Sequence, residues 1–179
     1  MDSGALGMAL FIFTEVMLFA GFISAFAIVK SSAPLGAWPP PDQPRLPIER
    51  TAFNTLLLLL SAVAMYWAGR KHKQGGAAAA NPFMAAALAL GVAFVGLQGM
   101  EWRALLGQGL TLTSSQLGSF FFVIIGTHAL HAIIAVFTLA LTWRSMNSGR
   151  LTPNGFSAMR LFWYFVVLVW PLLYWQVYL

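Results

Sequence analysis

QLGSFFFVIIGTHALHAIIAVFTLALTWR, residues Gln116 to Arg144, carries no charged side chain before its last position. At about 1.5 Å of rise per residue, a helix of that length crosses the ~30 Å hydrocarbon layer of a bilayer. Two of the chain's three histidines, His128 and His131, sit at its middle. Their i, i+3 spacing places them on one helix face. An ionisable group at bilayer depth is costly, so it faces protein or water and marks a functional site. The only acid deep inside another apolar run is Glu15. The sequence therefore asks for contact between Glu15 and this histidine face.

Composition sets the class. The chain has 179 residues, of which 59% are hydrophobic and 8% charged, and its mean hydropathy is +0.76. Those values describe an all-α integral membrane protein rather than a soluble core. Cysteine is absent, which excludes disulfides, thiolate-ligated iron–sulfur clusters, thioether-attached haem and cysteine-ligated copper. The net charge of +5 comes from residues in short links beside apolar runs, so it speaks of membrane orientation rather than nucleic acid. The first apolar run lacks a preceding basic cluster, is long for a signal-peptide core and contains Glu15, so it is expected to remain as a helix.

A single transmembrane helical domain of five spans is expected, at about 7–29, 51–69, 82–106, 116–143 and 156–179. The link from Lys30 to Pro47 includes Pro39-Pro40-Pro41 and reads as extended, semi-rigid chain. Asn54 and Thr55 fall in the first turn of the second span, where backbone groups need partners. The run Arg70-Lys71-His72-Lys73 is expected to stop that span. Gly75, Gly76 and four alanines then lead to Asn81 as an N-cap and Pro82 as the first helical residue. The third span is rich in Ala and Gly, which suits close helix approach in lipid. Near its end Gln98 and Glu101 share a face, beside Trp102 and Arg103; a Glu–Arg pair at an exposed membrane border is the plain reading. Ser115 caps the fourth span. The fifth is aromatic, and Pro171 is expected to kink it.

Lysine and arginine set the orientation. Arg70, Lys71, Lys73, Arg144, Arg150 and Arg160 flank one set of links, and Lys30, Arg45, Arg50 and Arg103 the other. The clustering favours a cytoplasmic N-terminus and an external C-terminus.

The residues restrict the chemistry. A bis-histidine haem needs ligands on opposite faces of the iron, and His128 and His131 share one helix. A 2-His-1-carboxylate metal site from His128, His131 and Glu15 is possible in stoichiometry only. The other readings are neutral packing histidines, a protonated His–Glu pair, or a carboxyl kept neutral by burial. Depth selects the pairing. With the first span running outward and the fourth inward, Glu15 is mismatched from His131 by about 3 Å and from His128 by about 7.5 Å, before tilt. No catalytic residues emerge. The residues alone leave two roles open, an accessory subunit of a larger enzyme or a small proton-linked transporter.

Four motifs carry a resemblance. FTEVMLFAGF (Phe13–Phe22), FNTLLLLLSAVAMYWA (Phe53–Ala68), LQGMEW (Leu97–Trp102) and FFFVIIGTHALHAIIA (Phe120–Ala135) together resemble subunit III of the haem–copper oxidases. Order and spacing agree, and the likeness covers nearly the whole chain. The resemblance implies a five-span bacterial type lodged in the cytoplasmic membrane. It implies an accessory, non-catalytic subunit that packs on the catalytic subunit I and other oxidase subunits. It implies bound phospholipid, support of proton uptake and stability, and no metal of its own, with haem and copper in the partner subunit. Glu15, His128 and His131 would form the buried, proton-related cluster, and Gln98 with Glu101 a second polar cluster. An accessory protein of a nitric oxide reductase of the same fold is the alternative. The last helix departs from the pattern: Tyr164 stands where the family has histidine, and Val167 where it has aspartate.

Overall fold

The computed structural model describes residues 3–34, 38 and 43–179. Its elements are α1 (Ser3–Ser32), α2 (Ile48–Gly107), α3 (Gln116–Asn147) and α4 (Pro153–Leu173), followed by a π-helical turn, Tyr174–Tyr178. Among the described residues, four helices are long and apolar enough to cross a membrane, where five were expected. The difference lies in α2, which joins the second and third expected spans. Of the link expected to be extended from Lys30 to Pro47, Lys30–Ser32 instead end α1, and the proline run Pro39-Pro40-Pro41 lies outside the described residues.

The helix does not stop at Arg70-Lys71-His72-Lys73, and the four alanines are helical rather than a link. Alanine, lysine and arginine are strong helix formers, so neither run ends a helix by itself. Asn81 and Pro82 accordingly lie inside α2, not at its start. Asn81 Oδ1 accepts from the Trp143 indole at 2.6 Å instead of capping. The break falls at Gly75 (φ −139°, ψ 15°) and Gly76 (φ 72°, ψ −161°). A side chain could not accept the second conformation. A straight helix of 60 residues would span about 90 Å, yet Thr51 Oγ1 lies 2.9 Å from Glu101 Oε2. Residues 48–74 and 77–107 are thus two arms folded back on each other.

Each arm buries one seam. In the first, Thr51, Asn54, Leu58, Ser61, Met65 and Ala68 are buried; in the second, Ala80, Met84, Ala87, Gly91, Phe94, Gln98, Glu101 and Leu105. Both run at alternating spacings of three and four, the pattern of near-parallel helix packing. At Gly91 an added Cβ would strike the Trp163 ring of α4 and come within 3.4 Å of Val136 in α3. The small-residue helix therefore lies at an interface, because only glycine admits so close an aromatic neighbour.

The aromatic α4 is the centre of the bundle and packs on all three other helices. Half of its most apolar window is buried, against 11% for α1. Thr152 caps it, accepting from the Gly155 amide, and Ser115 caps α3, accepting from the Gly118 amide. The helix continues through Pro171, and the irregular backbone follows it as the π-helical turn.

Contacts define two ends. At one, Gly4 lies against Asn154, His72 against the Phe156 ring and Gly69 under the Arg160 guanidinium. At the other, Ser114 donates to Gln43 at 3.0 Å, and Tyr174 donates to the Ile48 carbonyl at 3.1 Å.

Candidate functional site

Glu15 lies on α1 and both central histidines on α3. Glu15 Oε2 approaches His131 Nε2 to 3.0 Å, with side chains 15% and 12% exposed. The approach is close, but Glu15 Oε2 has no aligned hydrogen-bond donor, so the contact is not a directed N–H···O bond. The other ring nitrogen, Nδ1, lies 2.8 Å from the Thr127 carbonyl one turn back. That bond fixes the ring, since a carbonyl can only accept.

His128 is separate. It is 1% exposed, stacks on Trp170 with centroids 5.0 Å apart, and its Nε2 has no hydrogen-bond partner. Phe19 packs edge-on against both histidines, at 6.3 Å and 5.7 Å. The i, i+3 pair thus shares a face, but one ring meets the acid and the other meets aromatic walls. Among the described residues, no three His, Cys, Asp or Glu side chains converge as metal ligands.

The second cluster differs from the plain reading of its sequence. Glu101 is no exposed border residue: it is 8% exposed. Its partners are neutral donors, Thr51 Oγ1 at 2.9 Å, Gln98 Nε2 at 3.1 Å and Asn54 Nδ2 at 3.3 Å. Gln98 Nε2 also lies 3.1 Å from the Tyr178 hydroxyl. Trp170 donates to Thr55 Oγ1 at 2.8 Å, so the last helix is tied to the first arm of α2 by polar bonds as well as packing.

Sequence reasoning missed Thr51 and Asn54 as partners of Glu101, and Tyr178 and Trp170 as parts of the polar core. A signal for the first two exists. Thr51, Asn54, Thr55 and Ser61 fall on one helical stripe of an apolar run, which in lipid calls for polar groups opposite. Of the two departures in the last helix, Val167 is fully buried. Tyr164 instead turns its hydroxyl towards Arg160 Nη2 at 3.4 Å.

The chain is similar to known proteins along its length. A family model described as cytochrome c oxidase subunit III matches residues 2–179. Cytochrome c oxidase subunit 3 of Gallus gallus is 36% identical over 180 residues, covering 96% of this chain and 67% of that protein. The same subunit of Sus scrofa is 37% identical over 180 residues with the same coverage, and that of Oryctolagus cuniculus 36%.

Proposed function

Because this chain belongs to the cytochrome c oxidase subunit III family, and is thereby an accessory subunit of a haem–copper oxidase, we propose that it crosses the membrane five times and acts by supporting the catalytic subunit. The two arms of α2 serve as two crossings. The observation that carries this is the Thr51–Glu101 contact, which returns residue 101 to the level of residue 51. The basic residues Arg70, Lys73 and Arg150 then lie at the end that holds Gly4, and that basic clustering supports a cytoplasmic N-terminus in a bacterial membrane. Cysteines placed at Lys73 and Arg150 should be labelled only from the cytoplasmic side, and one at Gln43 only from outside; the reverse pattern overturns the orientation.

The chain holds no metal in this reading. It packs on subunit I, which carries haem and copper, and its outward apolar faces, such as that of Leu10, Phe13 and Met17 on α1, meet lipid tails and neighbouring subunits. Phospholipid binding and support of proton uptake belong to the same reading. The Glu15–His131 pair supports the latter. With Nδ1 donating to Thr127 O, a neutral His131 presents a lone pair at Nε2, which an ionised carboxylate 3.0 Å away would repel. One proton therefore belongs to the pair, on the ring or on the carboxyl. Purification tests the role: the chain should copurify stoichiometrically with a haem protein showing an oxidase spectrum, and elemental analysis of the separated chain should find no stoichiometric transition metal.

A further inference from the structure

The two arms of α2 leave a groove of about 550 Å³ between them, at the end where Thr51 meets Glu101. That volume falls within the ~300–1,000 Å³ of small-ligand sites. The lining is graded along the membrane normal. Thr51 and Glu101 stand level. Glu49 and Arg50 therefore lie nearer the membrane border, and Phe53, Leu97 and Met100 nearer its middle. Phe53 is 58% and Met100 70% exposed, so the deeper, apolar part of the groove is open to its surroundings.

The charges at the border end have no internal partner. Glu49, Arg50 and Glu101 all line the groove, yet among the described residues the one ion pair is that of Glu15 with His131. Arg50 is also locally ill-placed. It stands in the first turn of α2, where the helix dipole favours an anion and disfavours a cation. No side chain caps that end of the helix. A phosphate beside Arg50 supplies both wants, as a partner for the guanidinium and as an anion at a helix N-terminus.

We propose that this groove binds a zwitterionic aminophospholipid of the outer leaflet, of the phosphatidylethanolamine class. Its phosphate lies at Arg50, its ammonium at Glu49 and an acyl chain along Phe53, Leu97 and Met100. The inference rests on the reading of the chain as a five-span, phospholipid-binding subunit, and adds the place and the headgroup. Glu49 and Arg50 are neighbours with Cα atoms about 3.8 Å apart, which suits an ammonium two carbons beyond a phosphate. A choline headgroup has no N–H to donate to Glu49, and a glycerol headgroup has no cation. Free phosphate leaves the apolar half of the groove empty.

Native mass spectrometry of the intact oxidase complex tests this. The complex is stripped of lipid in detergent and offered dioleoyl phosphatidylethanolamine, phosphatidylcholine or phosphatidylglycerol in turn, and the lipids retained per complex are counted. Phosphatidylethanolamine should be retained best. Glu49→Gln should remove its advantage over phosphatidylcholine. Arg50→Gln should weaken retention of both at this site about tenfold, the loss of one charge-assisted contact. Arg103→Gln, which removes a charge from the same end but outside the groove lining, should change neither. Equal retention of the three lipids, or an Arg103 variant that behaves like the Arg50 one, overturns the headgroup assignment while leaving a lipid-binding subunit. Retention of no lipid overturns both. A neighbouring subunit's side chain seated in the groove, seen in a structure of the complex, also overturns the proposal.

Discussion

Glu101 and Glu15 are both carboxylates placed in apolar helices, and the bundle satisfies them in opposite ways. Glu101 sits between the arms of α2, where the side chains of Thr51, Asn54 and Gln98 reach it within 3.3 Å. Those donors are neutral and need no proton of uncertain location. Glu15 sits between α1 and α3, where one imidazole approaches to 3.0 Å without alignment. The first arrangement clamps a hairpin shut. The second joins two helices of which one, α1, is mostly exposed to its surroundings. A buried acid on the better-packed hairpin thus reads as structural, and one at a lightly packed crossing as responsive.

The largest effect should come from Glu101→Ala. It orphans several donors at once, and each buried orphan costs about 1–3 kcal/mol. A loss of about 3 kcal/mol, seen as a fall in the unfolding midpoint of the purified subunit or as its loss from the complex, is expected. A variant as stable as wild type would show that the clamp contributes nothing.

Gly91→Leu probes the packing that both clusters depend on. With Trp163 already against Gly91, overpacking should cost roughly 1–3 kcal/mol and lower the yield of subunit in the complex. Wild-type yield and stoichiometry would count against the interface.

Glu15→Ala should cost less than Glu101→Ala, about 1 kcal/mol, since it removes one partner from one ring. Its Gln counterpart sharpens the comparison. A glutamine amide can donate to a neutral His131 and should preserve stability if the wild-type pair is a neutral carboxyl donating to the ring. If the pair is ionic, glutamine should behave like alanine. Oxidase turnover in either variant should change only modestly, because the chain is an accessory subunit.

Thr51→Val should cost no more than Glu15→Ala, at most about 1 kcal/mol, measured by the same midpoint. It removes one of the donors around Glu101 and leaves the other two. A loss as large as that of Glu101→Ala would mean that Thr51 alone closes the hairpin.

Much of this was legible in the chain. Apolar runs, the lack of cysteine and two histidines on one face pointed to an all-helical membrane protein with Glu15 turned towards His131. That pairing could be reached because depth along two rods of known rise is simple arithmetic. Gln98 and Glu101 were legible as a polar pair, but the burial of Glu101 was not, because it stands two residues before Arg103 and the first arm of α2 supplies Thr51 and Asn54 from about fifty residues away. Nothing local distinguishes a border acid from one that a distant helix covers. The helix boundaries near residues 70–82 failed for the opposite reason. Charged residues and an Asn-Pro pair suggested punctuation, while backbone energetics let the helix run until two glycines could break it.

The sequence by itself determined the class of protein, the positions of its apolar runs and the pairs of polar residues that share a helix face. These depend on composition and on periods fixed by helix geometry. Only the tertiary structure decided which faces meet. It put α4 in the middle, folded α2 onto itself through Gly75 and Gly76, gave Glu101 its three neutral donors and left His128 against Trp170 instead of an acid. Those outcomes rest on packing between helices distant in the chain, where fractions of an ångström at a glycine or an indole choose among arrangements that share the same local pattern.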